Sequence, residues 1–513
     1  MMEITIGTIS LNIFALLLTI LIGFYTYFKW CFKYWKTRGV PHVEPTFPFG
    51  SLKNPAVGAK SFGEQCKDFY TTFKAKGHKH VGIYMFAAPI YIPIDIELIK
   101  NIIQKDFDHF VDRGVFYNET DDPLSAHLFA IEGAKWRNLR VKFTPTFTSG
   151  KMKMMFPILI ECGRQLKEAM DIATGKNEPI DIKDFAARFT TNVIGSCAFG
   201  LEFNCFEEAE SNFIKYGKRF FVPKGIELLK DFIGFAKPSL ARRLRMCLTP
   251  KEVEEFFMKI IKESVNYRET KNFERKDFMQ LLIDIRNSVK DDKENGIGLT
   301  FEELAAQAFV FFVAGYETSS TTMTFCLLEL ACNPAIQQKV REEIKEVLEK
   351  YNGEMCYDAL AEMKYMGQVI DETLRKYPPL MFLNRKCVDP YRIPGTNIVL
   401  EQETPVIIPI LGIQRDPEYF PDPEKFDPDR FNEENRNKII PFSYLPFGEG
   451  PRICIGLRFG IMQTKVGLTV LLRNYKFSFN NKTKIPLKMD PFSFSMAVDG
   501  DIWLNAKKNI ENY

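Results

Sequence analysis

The feature that most restricts the fold of this chain is an uncharged segment near its N-terminus. Residues 4–28 contain no charged side chain in 25 positions, and the cations Lys29, Lys33 and Lys36 follow directly. About 20 apolar residues cross the hydrocarbon of a bilayer as a helix, because a helix satisfies its own backbone hydrogen bonds there. The segment therefore predicts one membrane-spanning helix, with the rest of the chain folded on one side.

A cleaved signal peptide is the alternative interpretation of this segment. Signal peptides have a basic start, a shorter apolar core and a small-residue cleavage site. This chain instead carries Glu3 before the apolar run, and Trp30 and Trp35 after it. These features favour an uncleaved anchor over residues 1–30. Since cations that flank a span remain on the cytosolic side, the sequence predicts a cytosolic body behind the anchor.

The composition of the chain excludes some classes of protein. Its 513 residues include 68 Lys and Arg against 65 Asp and Glu, so no strong positive field attracts nucleic acid, and we expect no such partner. Its 11 cysteines are odd in number and form no CxxC pair, which indicates free thiols in a reducing compartment. Residues 31–50 are basic and proline-rich and predict a hinge. No second linker follows, so residues 51–513 are predicted to form one domain.

Helical patterns dominate this domain. Residues 81–86 and 90–94 predict a β-hairpin that turns at residues 87–89. Helical periodicity extends from about residue 96 to residue 376. Short strand patterns return over residues 391–409 and again after Tyr475. The predicted fold class is therefore mostly α with minor β-sheets.

The longest predicted helix begins at Thr300, where Thr300 and Glu303 form a capping box, and ends at Asn333, before Pro334. At 1.5 Å per residue such a helix is about 50 Å long.

The middle of this helix combines Gly315, Glu317 and Thr318. Glycine costs roughly 1 kcal/mol relative to alanine in a helix, and the Thr318 hydroxyl can bond to the carbonyl of Ala314 and bend or open the helix. Two interpretations stay open. Gly315 can simply let another helix pack closely, with Thr318 as a core hydroxyl, or the acid and the alcohol can deliver protons to a ligand beside the helix.

Glu372 and Arg375 share one face of a predicted helix. The ordinary interpretation of such a pair is a surface ion pair. Glu161 and Arg164 have the same spacing with no motif around them. The spacing alone therefore does not distinguish a functional pair from a surface pair.

A glycine-rich loop, FGEGPRICIG at residues 447–456, surrounds Cys454. Gly448 and Gly450 permit backbone conformations closed to other residues, and Pro451 stiffens the turn. A predicted helix follows, and its amide-rich start is expected to lower the thiol pKa of Cys454. The loop therefore predicts a thiolate.

A thiolate implies an electrophile, which can be a substrate carbon, a zinc ion or a haem iron. All five histidines lie between His42 and His127, and no cysteine near Cys454 supplies a second ligand. Both facts disfavour a zinc site and a cysteine hydrolase. A haem iron requires one protein ligand and cations for the propionates, which this region supplies.

These residues resemble the cytochrome P450 family of haem-thiolate monooxygenases. The loop matches FxxGxRxCxG, and WxxxR, AGxET, ExxR and PxRF precede it in the order of the family. The matched positions are Phe447, Gly450, Arg452, Cys454, Gly456, Trp136, Arg140, Glu372 and Arg375, with residues 314–318 and 428–431. The resemblance covers essentially the whole chain. It is strongest to insect microsomal enzymes of xenobiotic metabolism, through residues 112–140.

The resemblance implies haem b as the cofactor, with Cys454 as the axial ligand of iron. It implies that Phe447 shields the sulfur and that Gly450 shapes the loop. The implied propionate partners are Trp136, Arg140, Arg385 and Arg452.

The resemblance also implies roles away from the cysteine loop. Glu317 and Thr318 would relay protons to dioxygen, and Gly315 would let oxygen and substrate approach the iron. The implied structural ion network is Glu372, Arg375 and Arg430.

Substrate contacts and partners follow from the same resemblance. The implied substrate residues, each with core packing as its alternative, are Phe116, Met381, Phe382, Leu383, Phe492 and Phe494. We expect small lipophilic substrates and dioxygen. Because no dinucleotide-binding fingerprint occurs, electrons must come from outside the chain. The resemblance implies that they come from NADPH through a flavoprotein reductase, with cytochrome b5 as a further donor. The resemblance places the anchor in the endoplasmic reticulum membrane, with the domain in the cytosol.

Some surface residues have two interpretations. A basic cluster around Trp136 is either a docking face for the reductase or a solvated helix face; its members are Lys135, Arg137, Arg140 and Lys142. Residues 220–235 alternate apolar residues with lysines and are predicted to rest on the membrane.

Two other functions stay open at this point. A haem-thiolate isomerase or dehydratase would need no reductase, and Glu317 with Thr318 argues against it because that chemistry needs no protonation of oxygen. A non-catalytic haem sensor or carrier would need no long helix on the oxygen side.

Overall fold

The computed structural model describes residues 2–52, 60–208, 211–222, 225–288 and 299–509, with side chains from residue 12 onward. Within these ranges helices predominate and the sheets are small, which confirms the predicted fold class. The helices are α1 (Met2–Cys31), α2 (Tyr34–Thr37), α3 (Phe62–Ala75), α4 (Ile96–Lys100), α5 (Gly133–Phe143), α6 (Ser149–Thr174), α7 (Ile182–Phe199), α8 (Asn212–Phe221), α9 (Ile226–Ala236), α10 (Pro238–Arg243), α11 (Lys251–Lys271), α12 (Phe278–Ser288), α13 (Phe301–Cys332), α14 (Pro334–Lys350), α15 (Tyr357–Glu362), α16 (Lys364–Lys376), α17 (Ile410–Gln414), α18 (Glu433–Arg436) and α19 (Leu457–Asn474).

The strands form three small antiparallel or mixed sheets. They are β1 (His80–Met85), β2 (Ala88–Pro93), β3 (Ile180–Asp181), β4 (Leu383–Lys386), β5 (Tyr391–Arg392), β6 (Val399–Leu400), β7 (Pro405–Ile408), β8 (Tyr475–Phe479) and β9 (Trp503–Lys508). The strand orders are β1-β2-β7-β4, β3-β9-β8 and β5-β6.

The predicted hairpin is present, but its turn is tighter than the sequence indicated. Met85 pairs with Ala88, so the two residues between them form the turn, one position before the predicted 87–89. Strand β4 was not predicted. It pairs antiparallel with β7 at one end of the sheet and sets Arg385, which is buried, opposite Val406.

Helix α13 runs through the core, with the start and end that the sequence predicted. The amide of Glu303 donates to the Thr300 hydroxyl at 3.1 Å, and the Thr300 amide donates to the Glu303 carboxylate at 3.0 Å, which confirms the capping box. The helix is continuous for 32 residues and ends at Cys332, before Asn333. Helices α7, α16 and α19 pack against it, so its middle lies among buried elements.

The N-terminal helix fits a membrane anchor. The stretch Asn12–Thr37 is long and apolar enough to cross a membrane by length and composition, with a mean hydropathy of 1.6. Apolar side chains in its first part, such as Leu16 and Ile20, are exposed, whereas the apolar residues of the body form a continuous buried core.

Residues just after the anchor pack on the β1–β2 hairpin. The Trp35 indole donates to the carbonyl of Ile83 at 2.9 Å, and the Trp35 amide donates to the Tyr84 hydroxyl at 3.0 Å. A Cβ at Gly82 would lie 2.5 Å from the Trp35 ring, so the indole fills the space that this glycine leaves. The base of the anchor is therefore fixed to the sheet within the segment that the sequence predicted as a hinge.

Candidate active site

The cysteine loop depends on its glycines. Gly448 and Gly450 have φ values of 71° and 74°, in the left-handed region that favours glycine. A Cβ at Gly450 would also lie 2.2 Å from the carbonyl oxygen of Ile103, so no larger residue fits there. The Cys454 amide donates to the Phe447 carbonyl at 2.9 Å, which closes the loop. Helix α19 begins soon after it, directly beyond Gly456.

Cys454 has accessible surface although it lies deep in the protein. Burial raises the pKa of its thiol, while the Gly456 amide and the guanidiniums of Arg113 and Arg140 lower it. The Cys454 sulfur is both deep in the protein and accessible when it faces an internal space rather than bulk water. The prediction that the loop by itself lowers the thiol pKa is wrong, because desolvation of the charged sulfur outweighs the amide and the cations. Coordination by a metal ion would deprotonate the thiol.

Two of the predicted propionate partners, Arg385 and Arg452, are buried guanidiniums. Arg452 lies 4.0 Å above the Trp136 ring and donates to the Ile131 carbonyl at 2.9 Å. Burial, with the charge of Arg385 as a second cause, lowers the pKa of Arg452 to about 9. Burial lowers the pKa of Arg385 to about 10. The nearest carboxylate oxygen recorded for Arg452 is that of Asp112, at 3.8 Å.

A third guanidinium, Arg113, was missed in the sequence. It donates to the Phe129 carbonyl at 3.1 Å and to the Arg452 carbonyl at 3.2 Å. Burial lowers the pKa of Arg113, and so do the charges of Arg452 and Arg385. The sequence offered one signal for Arg113, which is that a cation directly follows Asp112 within the segment that carries the family resemblance. No periodicity singled it out.

These residues fit the haem that the resemblance implies. Three buried guanidiniums, those of Arg113, Arg385 and Arg452, repel one another, and the Nε atoms of Arg385 and Arg452 have no hydrogen-bond partner within the described ranges. Buried cations require anions. A dianionic ligand beside Cys454 would supply them, and the two propionates of haem have that charge.

The middle of α13 holds the predicted acid and alcohol. The Thr318 hydroxyl donates to the Ala314 carbonyl at 2.6 Å, as predicted, and Ala314 is exposed in the middle of an otherwise buried helix. Glu317 accepts a hydrogen bond from the Ser495 hydroxyl at 3.2 Å. Burial raises the pKa of Glu317, and the ammonium of Lys183 opposes this.

Gly315 lies where α13 meets α7. A Cβ at this position would lie 2.4 Å from Cδ1 of Ile194 on α7. The glycine therefore lets α7 pack closely against α13, in agreement with the packing interpretation from the sequence. The role toward oxygen and substrate that the resemblance implied stays a prediction.

The predicted ion network is buried beneath the cysteine loop. Arg375 bonds to Glu372 at 2.7 and 2.8 Å, and the Arg430 Nε lies 3.5 Å from the Glu372 carboxylate. Arg375 also donates to the backbone carbonyl of Gln414, and the Gln414 side chain accepts the amide of Leu445 at 2.8 Å. A chain of hydrogen bonds thus joins α16 to the residues just before the loop. Gln414 was not identified from the sequence.

The six predicted substrate residues do not share one environment. Met381 packs on α3, since a Cβ at Gly63 would lie 2.3 Å from the Met381 Cβ. Leu383 contacts the loop glycine Gly448. The rings of Phe382 and Phe494 are 5.4 Å apart, so these two lie together. Phe116 is buried beside Gly234 of α9, whereas Phe492 is 49% exposed.

The basic residues around Trp136 divide between two faces. Lys135 pairs with Glu119 and Glu303, at 2.8 and 3.1 Å. Arg137 and Arg140 instead line a surface depression of about 410 Å³; its other lining residues are Gln104, Lys105, Phe107, Asp108, Trp136, Val141 and Pro451. Because Pro451 belongs to the cysteine loop, this depression lies directly outside the loop.

Comparison with known proteins agrees with these observations. The family model for cytochrome P450 matches residues 45–504. The chain is 44% identical to "Probable cytochrome P450 6a23" of Drosophila melanogaster, over 93% of this chain and 95% of that protein. It is 43% identical to "Probable cytochrome P450 6a20" of Drosophila melanogaster, over 96% of this chain and 100% of that protein. It is also 43% identical to "Cytochrome P450 6A1" of Musca domestica, over 93% of this chain and 94% of that protein.

Proposed function

The chain belongs to the cytochrome P450 family of haem-thiolate monooxygenases, and from this premise we propose that it oxidises lipophilic foreign compounds at a membrane surface. The reaction inserts one oxygen atom of dioxygen into the substrate and reduces the other to water, with two electrons from NADPH. The observation that carries the proposal is the convergence of Cys454 with the buried guanidiniums of Arg113, Arg385 and Arg452. This set of groups suits a thiolate-ligated, dianionic haem.

The residues of this chain have separate roles in that reaction. Haem, when bound through Cys454, supplies the redox chemistry that activates dioxygen. Arg452 and Arg385 would hold the propionates, and Trp136 supports Arg452 through its ring face. The Thr318 hydroxyl carries a proton on Oγ1 and donates a hydrogen bond to the Ala314 carbonyl. Glu317 is the acid beside it in the chain, available to take up and release protons.

The identity of the iron ligand is tested by carbon monoxide difference spectroscopy. Reduced wild-type protein with carbon monoxide is expected to absorb at about 450 nm, the band typical of thiolate ligation in this family. Cys454→Ser should lose this band, because a serine hydroxyl does not replace a thiolate. Cys332→Ser is the matched control, since Cys332 is an exposed thiol of α13 and should keep the band. A band that survives in Cys454→Ser would refute the assignment.

We propose that a flavoprotein reductase docks at the depression outside the cysteine loop. The depression is lined by the cations Lys105, Arg137 and Arg140, with Asp108 paired to Arg137 at 3.1 Å. Val141 is 68% exposed at its edge and offers an apolar contact. A basic rim around an exposed apolar residue suits an acidic partner, whose approach it would steer. Cytochrome b5, as a second acidic donor, would compete for the same face.

Docking and chemistry can be separated by the source of oxidising equivalents. Arg137→Gln is expected to lower the rate of turnover supported by NADPH and to make this rate less dependent on salt concentration. Turnover supported by an organic hydroperoxide should stay at the wild-type level. Lys135→Gln is the matched control, because Lys135 is engaged by Glu119 and Glu303 away from the depression. Equal effects of the two substitutions would refute docking at this face. Turnover that needs no NADPH or reductase at all would favour an isomerase instead.

The substrate class rests on the aromatic residues near α9. Phe62 lies 5.0 Å from Phe382 and 5.9 Å from Phe235, and Phe86 lies 5.5 Å from Phe232. Such surroundings favour apolar, ring-containing compounds over charged metabolites. A screen of lipophilic compounds for a substrate-induced shift of the haem absorption band tests this. Shifts caused only by polar metabolites would contradict it.

We propose that the anchor holds the domain on the cytosolic face of the endoplasmic reticulum, with α9 against the lipid. Val222, Ile226 and Leu229 are exposed apolar residues of the segment 220–235, of which residues 223–224 lie outside the described ranges. Exposed apolar side chains of this kind suit a bilayer surface.

Glycosylation tests this orientation. Asn118 and Asn481 begin N-x-Thr sequons, but a cytosolic domain does not meet the lumenal transferase. Asn481 is the informative site because it is exposed, whereas the Asn118 amide bonds to Asp121 and Met246. Asn481 is expected to stay unmodified, while a sequon added before Met1 is glycosylated. Glycan on Asn481 would reverse the proposed orientation.

A further inference from the structure

The loop near the C-terminus reaches the centre of α13. Residues 489–498 fold back on themselves, with Met489 bridged to Val498. The loop is tied to the core at two points. The Met496 amide donates to the Pro379 carbonyl at 2.8 Å, and the Lys183 ammonium of α7 donates to the Val498 carbonyl at 2.9 Å. The part of the loop that directly follows Ser495 is therefore tied to the core.

Ser495 is the residue of this loop that contacts Glu317. Its side chain is buried, and its hydroxyl donates to Oε1 of Glu317 at 3.2 Å. The Ser493 hydroxyl lies 3.2 Å from the Ser495 hydroxyl and is only half-buried. A line of hydroxyls thus leads from the outer part of the loop to the Glu317 carboxylate.

The neighbour of Ser495 in the chain belongs to an aromatic cluster. Phe494 packs edge-on against Phe382 at 5.4 Å, and Phe382 packs edge-on against Phe62 at 5.0 Å. Adjacent residues of one loop therefore contact two different parts of the site. Phe494 contacts aromatic side chains suited to an apolar substrate, and Ser495 contacts the acid of α13.

We propose that Ser495 is a positioning residue that holds Glu317 and links its orientation to the aromatic loop that meets the substrate. The inference rests on the proposed function and deepens it. A substrate that packs against Phe494 also steadies Ser495, because the two are joined by one peptide bond. The Ser495 hydroxyl then keeps the Glu317 carboxyl in one orientation on α13, next to Thr318. Proton delivery is thereby favoured when substrate is present, which limits wasteful release of peroxide.

The charges around Glu317 fix the sign of the expected pH effect. Lys183 of α7 and Lys218 of α8 face it, with Tyr316 next to it on α13. Asp184 lies beside them and pairs with Arg188 at 2.5 Å and with Lys218 at 3.9 Å. Burial raises the pKa of Glu317, and the two ammoniums and the Ser495 hydroxyl lower it. Removal of the hydroxyl should therefore raise this pKa further.

The experiment measures product formed per NADPH, together with peroxide, across a pH series. Ser495→Ala is expected to lower the ratio, raise peroxide and move the midpoint of the pH profile to higher pH. Ser495→Thr keeps a hydroxyl and is expected to restore both the ratio and the midpoint. A purely structural role of Ser495 would lower activity without moving the midpoint. A wild-type midpoint in Ser495→Ala overturns the proposal.

Two further variants separate the parts of the inference. On a Glu317→Gln background, Ser495→Ala should cause no further shift of the profile, because the titrating group is already absent. Phe494→Ala keeps the Ser495 hydroxyl, so its midpoint should match the wild type while peroxide release in the presence of substrate rises. Wild-type coupling in Phe494→Ala overturns the link to substrate.

Failure of the inference is distinguishable from failure of the proposed function. If wild-type protein with reductase and NADPH forms no oxygenated product from any lipophilic compound, the proposed function fails. If wild-type protein forms product and Ser495→Ala keeps the same ratio and midpoint, only the role of Ser495 fails. The carbon monoxide band of each variant is recorded first, since none of these substitutions touches the cysteine loop.

Discussion

Two ion pairs of this molecule have the same spacing in the chain and opposite surroundings. On α6, Glu161 and Arg164 approach to 2.6 Å with about half of each side chain exposed, at 54% and 55%. On α16, Glu372 and Arg375 approach to 2.7 Å with both side chains 0% exposed. The sequence pattern and the contact distance are nearly equal. Burial alone separates a solvated pair from one that organises the site.

The difference in burial changes how many partners each charge needs. Glu161 and Arg164 have water available on every open side. Glu372 also accepts the amide of Asp427 at 2.9 Å, and Arg375 also donates to the carbonyls of Gln414 and Pro423, at 3.0 and 2.8 Å. Charges removed from water require such a complete set of hydrogen bonds. The buried pair therefore joins segments that are distant in the chain, which the exposed pair does not do.

The largest effect is expected for Glu372→Gln. This change leaves the Arg375 guanidinium buried without its counter-charge, and breaking a buried pair in this way costs about 3–5 kcal/mol. That is a large fraction of the roughly 5–15 kcal/mol by which a native domain is stable. The expected result is a lower thermal midpoint, a reduced haem content and a weak carbon monoxide band. Wild-type values for all three would show that burial does not set the importance of this pair.

A second buried ion pair tests whether the location of a pair matters as well as its burial. It joins α11 to the residue directly before α12. Arg268 and Asp277 approach to 2.6 Å with side-chain exposures of 3% and 0%. Asp277→Asn is expected to cost about 3 kcal/mol, since it leaves Arg268 uncompensated. The pair lies outside the hydrogen-bond chain that leads to the cysteine loop. Protein that folds should therefore keep a full carbon monoxide band per haem, in contrast to Glu372→Gln.

The outcome for Asp277→Asn separates two explanations. If Asp277→Asn loses stability but keeps a normal carbon monoxide band per haem, then burial of the pair determines the loss of stability. The position of the pair in the fold then determines whether haem binding is affected. A weak band in both variants would mean that global destabilisation alone explains haem loss.

Much of this contrast could be predicted from the sequence, but burial could not. Local signals predicted the capping box of α13, the hairpin and the glycines of the cysteine loop, because each depends on neighbouring residues. Gly315 was ambiguous, since only the position of Ile194 on α7 shows which side its missing Cβ faces. Long-range packing decided that case.

The residues missed in the sequence share a physical reason. Arg113, Gln414 and Ser495 act through hydrogen bonds to distant parts of the chain, such as that from Ser495 to Glu317, 178 residues away. No periodicity or local motif marks such a contact. The pKa of Cys454 was also misjudged, because the stabilising amide is local whereas the opposing desolvation comes from the whole surrounding core.

The third effect, smaller than those of the buried charges, is expected for Gln414→Leu. The Gln414 side chain donates to the carbonyls of Leu374 and Arg375, each at 3.0 Å, and accepts the Leu445 amide at 2.8 Å. Leucine has a similar size but leaves these groups unpaired, which costs about 1–3 kcal/mol. The expected result is faster loss of haem, because Leu445 leads into the cysteine loop, with both ion-pair residues unchanged. A wild-type rate of haem loss would show that the pair does not act through Gln414.

The smallest effect is expected for Glu161→Gln, the matched control of the buried variant. The hydrogen bonds from Arg164 lower the pKa of Glu161 in the folded protein. A lowered folded-state pKa means that any stabilisation is present above the unfolded pKa and is lost as the pH falls through the folded value. Since both side chains are half exposed, water and salt screen the attraction.

The thermal midpoint of Glu161→Gln should therefore equal that of the wild type at neutral pH and moderate salt. A slight decrease is expected only at low salt, and it should vanish when the solution is acidified, because wild-type Glu161 is then protonated too. The carbon monoxide band should be unaffected under all these conditions. A decrease comparable to that of Glu372→Gln would mean that the exposed pair carries the same energy as the buried one. Burial would then not be what separates the two pairs.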